Sequence, residues 1–87
     1  MIKILKQKNN MIILQELKTN KLAINYLYSD NTCIAKHDLL LNKIELDVNA
    51  WDYSTIAGKH RNEFLGETKS ETLAKINSGE YKLTNLN

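Results

Sequence analysis

The first half of the chain alternates on a period of two. Ile2, Ile4 and Lys6 are interleaved with Lys3 and Leu5, and after Asn9-Asn10 the segment Met11 to Leu17 returns. Successive side chains of a strand point to opposite faces, so such alternation predicts half-buried strands. Asparagines tolerate the positive φ of a tight hairpin, so the first two strands are expected to pair across Asn9-Asn10. Polar punctuation follows at Lys18 to Lys21, Ser29-Asp30-Asn31 and Leu41-Asn42-Lys43. Between these points lie Leu22 to Tyr28, Thr32 to His37 and Ile44 to Val48, the last alternating apolar with acidic residues. An antiparallel meander of four to five strands with one solvated face is the expected result. Met11 to Leu17 is the ambiguous element, because its Ile12, Ile13, Gln15, Glu16 and Leu17 also suit a short helix.

The period changes in the second half. Asp52 or Ser54 is placed to cap a helix whose Ile56, His60 and Phe64 share one face beside Ala57 and Leu65, with Lys59, Arg61, Asn62 and Glu63 facing out. Gly66 would end it. Thr68 with Glu71 forms a capping-box signature, Leu73, Ala74 and Ile76 supply an apolar face, and Ser78-Gly79 stops this second helix. Tyr81, Leu83 and Leu86 alternate with polar residues, which predicts an edge strand or a tail lying on the core. Residues 1–87 therefore read as a single α+β domain, a small antiparallel sheet followed by one or two short helices packed on one face.

Composition narrows the function classes. Hydrophobic residues make up 43% of the chain and charged ones 25%, with no Pro and no repeat, as in an ordinary globular domain. Twelve basic side chains are interspersed with ten acidic ones, so there is no basic tract to neutralise many phosphates. A lone Cys33 excludes an internal disulfide, a zinc ribbon and a CxxC redox pair, and fits a reducing cytoplasm. Met11-Ile12-Ile13-Leu14 falls far short of the roughly 20 apolar residues that span a bilayer, so no membrane association is expected.

Candidate chemistry concentrates between Trp51 and Gly66, which hold the only Trp, the only Arg, the only Phe, one of the two His and two of the three Gly. His60 could serve as a base or ligand, but no Ser, Cys or carboxylate is placed by sequence to complete such a site, and a core histidine is the competing reading. Cys33 and His37, four apart on a strand, share a face, with Asp38 adjacent. Four strand residues span about 13 Å, whereas zinc needs three or four ligands at roughly 2.0 to 2.3 Å. No metal and no cofactor is expected, and Cys33 reads as a small buried hydrophobe.

Lys59, Arg61, Lys69 and Lys36 would form a basic patch near Trp51 and Tyr53. Aromatics among cations suit single-stranded nucleic acid, and Trp, Tyr and Arg equally suit a protein interface. Trp51 and Tyr53 also fit a third role, closing the core. Glu45, Asp47 and Asp52 make an acidic stripe that reads as the solvated face of a strand, or, if it lies at a sheet edge, as a surface to meet a basic groove such as the nucleic-acid channel of a host nuclease.

Tyr28-Ser29, Thr32, Ala35, Trp51-Asp52-Tyr53-Ser54, Lys59-His60 and Phe64-Leu65 resemble a family of short uncharacterised proteins encoded by phages and plasmids of low-GC Gram-positive bacteria. The likeness spans about residues 26 to 87. Ile56-Ala57 stands where the family pattern carries Thr-Thr. The resemblance implies a mobile-element accessory protein, with no activity to carry over. The expectation is a non-enzymatic protein that binds a host or phage protein in the bacterial cytoplasm, an anti-CRISPR type of inhibitor being its sharpest form. Trp51, Tyr53, Lys59, Arg61 and Lys69 are the expected partner-binding residues. Sheet edges unprotected by Pro predict a homodimer, and a small nucleic-acid-binding regulator is the alternative.

Overall fold

Alternation in the first half folds into five consecutive antiparallel strands, and the computed structural model, which describes residues 1–87, adds a sixth after the helices. Strands β1 (Ile2–Lys8), β2 (Met11–Leu17), β3 (Ala23–Ser29), β4 (Thr32–Asp38) and β5 (Lys43–Asp47) lie side by side in chain order. Helices α1 (Thr55–Leu65) and α2 (Lys69–Asn77) then lead to β6 (Lys82–Thr84), which pairs parallel to β5. A parallel neighbour requires a crossover of a dozen or more residues, and the two helices provide it. The sheet is thus six-stranded where four to five strands are expected, and the sixth lies in the Tyr81 to Leu86 segment whose alternation predicts an edge strand or a tail. Met11 to Leu17 is a strand because it is paired along both sides, with β1 and with β3.

Asparagine and aspartate make the tight turns. Asn9, Asp30, Asn31 and Asn42 have φ of 49°, 50°, 66° and 51°, a region that these side chains enter at less cost than most. Ser54, not Asp52, caps α1 by accepting the Ala57 N–H at 3.1 Å. Gly66 ends that helix at φ 69°, and the Thr68–Glu71 capping box opens α2.

Two bulges decide which residues share a face. Leu5 has no partner between the Ile4–Leu14 and Lys6–Ile13 pairs, and Ile34 has none between Leu27–Ala35 and Tyr28–Cys33. Each inserted residue resets the alternation of its strand. On one face a row of Lys6, Ile13, Leu27, Ala35 and Leu46 runs beside Lys8, Met11 and Ser29. This face carries the core: Met11, Leu27, Ile34, Ala35 and Leu46 pack with Ala57 of α1 and with Tyr81, and Phe64, Leu65 and Ile76 of the helices lie against them.

The opposite face carries the row Ile4, Leu14, Tyr26, Lys36, Glu45 and Lys82, flanked by Ile2, Glu16, Ile24, Asp38 and Lys43. Neither helix covers it. Ile2 and Ile4 are 64% and 57% exposed.

Helix α1 is rotated from the expected orientation. Ala57, His60 and Arg61 are buried, while Ile56 is 55% exposed. In α2 the buried residue is Thr72, and Leu73 is exposed. A helix with near-balanced apolar and polar positions takes its rotation from specific bonds, and Arg61 makes them.

Candidate functional site

The Trp51 to Arg61 segment is held together from within. Arg61, only 1% exposed, donates from Nη1 to the Trp51 carbonyl at 2.8 Å and to Asp52 Oδ1 at 2.9 Å, and from Nη2 to Asn62 Oδ1 at 2.9 Å. Its guanidinium lies 5.2 Å from the Trp51 ring centroid, within cation–π range. Its Nε is buried without a partner. Lys69 also binds Asp52, at 2.6 Å. Hydrogen bonding from Lys69 holds the Asp52 carboxyl below the usual range; partial burial opposes this, and Arg61 adds to it. The expected outward-facing Arg61 is therefore a buried strut that ties the body of α1 to the loop before it.

The five expected partner-binding residues divide. Arg61 is inaccessible, Trp51 is half-buried beneath it, and Lys69 is spent on Asp52. Tyr53 is 45% exposed and donates its hydroxyl to the Ser29 carbonyl at 3.1 Å. Lys59 is exposed and makes no ion pair, and it lines a separate open groove of about 430 Å³ with Lys8, Asn9, Asn10, Ile56, His60 and Glu63. Lys36 lies on the uncovered sheet face, 3.6 Å from Glu45. No basic patch converges. The acidic stripe disperses likewise: Glu45 meets Lys36, Asp52 meets Arg61 and Lys69, and Asp47 is 2% exposed.

His60 occupies the boundary between core and groove. It is 8% exposed, and its Nδ1 lies 2.8 Å from Ser29 Oγ. Ser29 is fully buried, so its hydroxyl is out of reach of anything in the groove, and no carboxylate orients the ring. Tyr53, Ser29 and His60 form a polar link between β3, α1 and the loop before α1.

Cys33 and His37 do not share a face. The Ile34 bulge puts Cys33 beside Tyr28 on the uncovered side, and His37 beside Asn25 on the helix side. Burial, with the Asp47 charge adding to it, pushes the Cys33 thiol up to about 11. His37 Nε2 instead lies 2.9 Å from Asn42 Oδ1. No group of three His, Cys, Asp or Glu side chains has metal-binding geometry.

The C-terminal segment closes one end of the uncovered face. Asn87 accepts the Cys33 N–H at 2.8 Å and donates to the Cys33 carbonyl at 3.0 Å, so its amide satisfies the backbone beside the bulge. Asp47 accepts the Leu86 N–H at 2.8 Å and the Asn49 N–H at 3.1 Å. Burial alone would raise the Asp47 carboxyl; these donors, with Asn87 and Ala50, bring it below the ordinary range.

Two uncovered apolar surfaces remain. The first is the sheet face around Ile2, Ile4, Leu14, Tyr26 and Tyr28. The second is the β4–β5 turn, where Leu39, Leu40 and Leu41 are 41%, 59% and 60% exposed. Asp38 Oδ1 accepts the N–H groups of both Leu40 and Leu41, which fixes the turn. Leu41 also joins Lys36, Glu45 and Lys82 in an open groove of about 380 Å³. Sequence reasoning passed over these leucines, although three in a row between the turn formers Asp38 and Asn42 were a legible sign of apolar side chains at a loop tip.

No protein-family model matches the chain, and no curated protein or solved structure is significantly similar to it. No helix is long and apolar enough to cross a membrane.

Proposed function

We propose that this chain is a non-enzymatic protein-binding module that occupies its partner through the uncovered face of the sheet. The observation that supports this reading is the contiguous set of Ile2, Ile4, Leu14, Tyr26 and Tyr28 on a face that neither helix packs against. Exposed apolar patches rimmed by polar residues mark interaction sites, and here Glu16, Lys36 and Asp38 form the rim. A standard interface covers about 800 Å² per partner, roughly one-seventh of this chain's 5432 Å² surface.

Charge separates this reading from nucleic-acid binding. Lys36, Lys43 and Lys82 share the face with Glu16, Asp38 and Glu45, and Asp47 is buried, so its cations are balanced by acids. Single-stranded nucleic acid needs a positive groove beside its stacking aromatics, and Tyr26 and Tyr28 lack one. In the mobile-element setting that the resemblance implies, the partner is a host or phage protein, and occupancy of a defence effector is the sharpest form of the proposal.

The test is affinity capture from host lysate by the tagged chain, with and without nuclease, alongside a Leu14→Lys variant checked for folding by circular dichroism. A stoichiometric protein that survives nuclease and is lost with Leu14→Lys is the expected result. Recovery of nucleic acid, or capture that Leu14→Lys leaves intact, refutes it.

A further inference from the structure

The β1 edge of the sheet has a defined recognition chemistry. Met1 and Leu17 exchange both backbone hydrogen bonds, at 2.8 and 3.1 Å. In an antiparallel ladder such a pair alternates with one whose backbone groups point away. Ile2 and Ile4, opposite Glu16 and Leu14, therefore direct their N–H and C=O groups outward from the sheet. Their side chains lie on the uncovered apolar face, and Lys3 between them lies on the helix face. Lys3 makes no ion pair, and beyond it Lys6 and Lys8 share the single Glu63, at 2.6 and 2.9 Å. β1 thus offers unpaired backbone groups, an apolar side and a side with excess positive charge, along seven exposed residues without Pro.

From this we infer that β1 accepts an extended segment of another protein in which apolar and acidic residues alternate, as an added strand of the sheet. The inference rests on the protein-binding reading and specifies its partner. A strand laid beside β1 hydrogen-bonds to Ile2 and Ile4, sets apolar residues next to their side chains, and puts a carboxylate opposite Lys3. A second copy of this chain fits poorly. Two β1 strands paired about Lys3 would bring Ile2 opposite Ile4 but set the two Lys3 ammonium groups against each other, and like charges directly opposite are destabilising. At the other edge, β6 is only three residues long.

The test uses a blocked fluorescent peptide of alternating valine and glutamate, as long as the seven-residue β1, with a valine–lysine peptide for comparison, read by anisotropy against the full chain. The glutamate peptide is expected to bind at least about tenfold more tightly, the change expected when one charge pair is reversed. Ile4→Pro removes an outward N–H that no internal bond uses, so the fold tolerates it and binding is expected to fall by at least about tenfold. Ile2→Pro is the second such variant, and Lys3→Glu is expected to reverse the preference between the peptides. Equal binding of both peptides, or binding indifferent to both proline variants, overturns the inference. So does a concentration-dependent dimer abolished by Ile4→Pro, which would assign the edge to a second copy. Capture of a lysate partner that is lost with Leu14→Lys but kept with Ile4→Pro overturns the edge proposal while leaving the protein-binding reading in place.

Discussion

Replacing Arg61 by Ala distinguishes a structural strut from an interface residue. The substitution removes the buried methylenes at Cγ and Cδ, worth about 1.6 kcal/mol at roughly 0.8 kcal/mol each. It leaves the Trp51 carbonyl without its donor at 2.8 Å, a loss of about 1–3 kcal/mol if no water reaches it. Loss of the Trp51 cation–π contact adds about 0.5–1 kcal/mol. Two effects offset this sum: Asp52 keeps its 2.6 Å bond to Lys69, and the desolvated guanidinium with its unpartnered Nε disappears. The net destabilisation expected is about 3 kcal/mol, the low end for breaking a buried pair. A domain of this size loses roughly 4–8 °C in melting temperature per kcal/mol, so Arg61→Ala should melt at least about 12 °C below the parent. Thermal unfolding is followed by far-ultraviolet circular dichroism and by fluorescence of Trp51, the only tryptophan. Lys59→Ala is the surface control and should stay within about 0.5 kcal/mol of the parent. A melting temperature for Arg61→Ala within about 4 °C of the parent, roughly 1 kcal/mol, would refute the strut and restore Arg61 to the surface.

Asp47→Asn exchanges one carboxylate oxygen for an amide that opposes an N–H donor from Leu86 or Asn49. A loss of about 1–3 kcal/mol is expected in chemical denaturation, together with faster hydrogen exchange at the Leu86 amide; unchanged exchange there would show that Asp47 does not hold the tail. Acid should destabilise the chain with a definite sign. Asp47, Asp52, Glu63 and Glu67 all sit below their ordinary values in the fold, Glu63 at about 2 through its bonds to Lys6 and Lys8. Groups depressed in this way contribute fully above their unfolded values of about 3.9 to 4.3 and lose the contribution as pH falls through the folded ones. The melting temperature should therefore decline from about pH 4.5 towards pH 2, and a flat profile down to about pH 3 would contradict these pairings.

Much of the fold was legible because it is local. Asn9-Asn10 announces its hairpin, Thr68 and Glu71 their capping box, and Gly66 its helix end, each through a conformation that neighbouring residues decide. β6 is legible only as an edge strand or a tail, since its three residues become a strand through β5. The Trp51 to Arg61 segment stands out in the sequence, but the burial of Arg61 does not. An arginine on a short helix ordinarily faces water, and the groups that draw it inward lie nine and ten residues back, at Asp52 and Trp51. The uncovered face was implied by one-sided alternation in the strands. Its occupants were not, because periodicity cannot show where a strand takes an extra residue.

The Leu5 bulge has the largest effect on the proposed interface. Ile2, Ile4, Lys6 and Lys8 are spaced by two, so a regular strand would put all four on one face and mix lysines into the apolar row. With Leu5 inserted, Ile4 pairs with Leu14 on the uncovered face and Lys6 with Ile13 on the helix face. There Lys6 and Lys8 reach Glu63 of α1, and Ile2 and Ile4 are left beside Leu14 and Tyr26 without an intervening charge on β1. Cys33 and His37 are separated by the same device at Ile34. An edge with an apolar side and a cationic side, from a segment written Ile-Lys-Ile-Leu-Lys-Gln-Lys, exists only because one leucine is left out of the ladder.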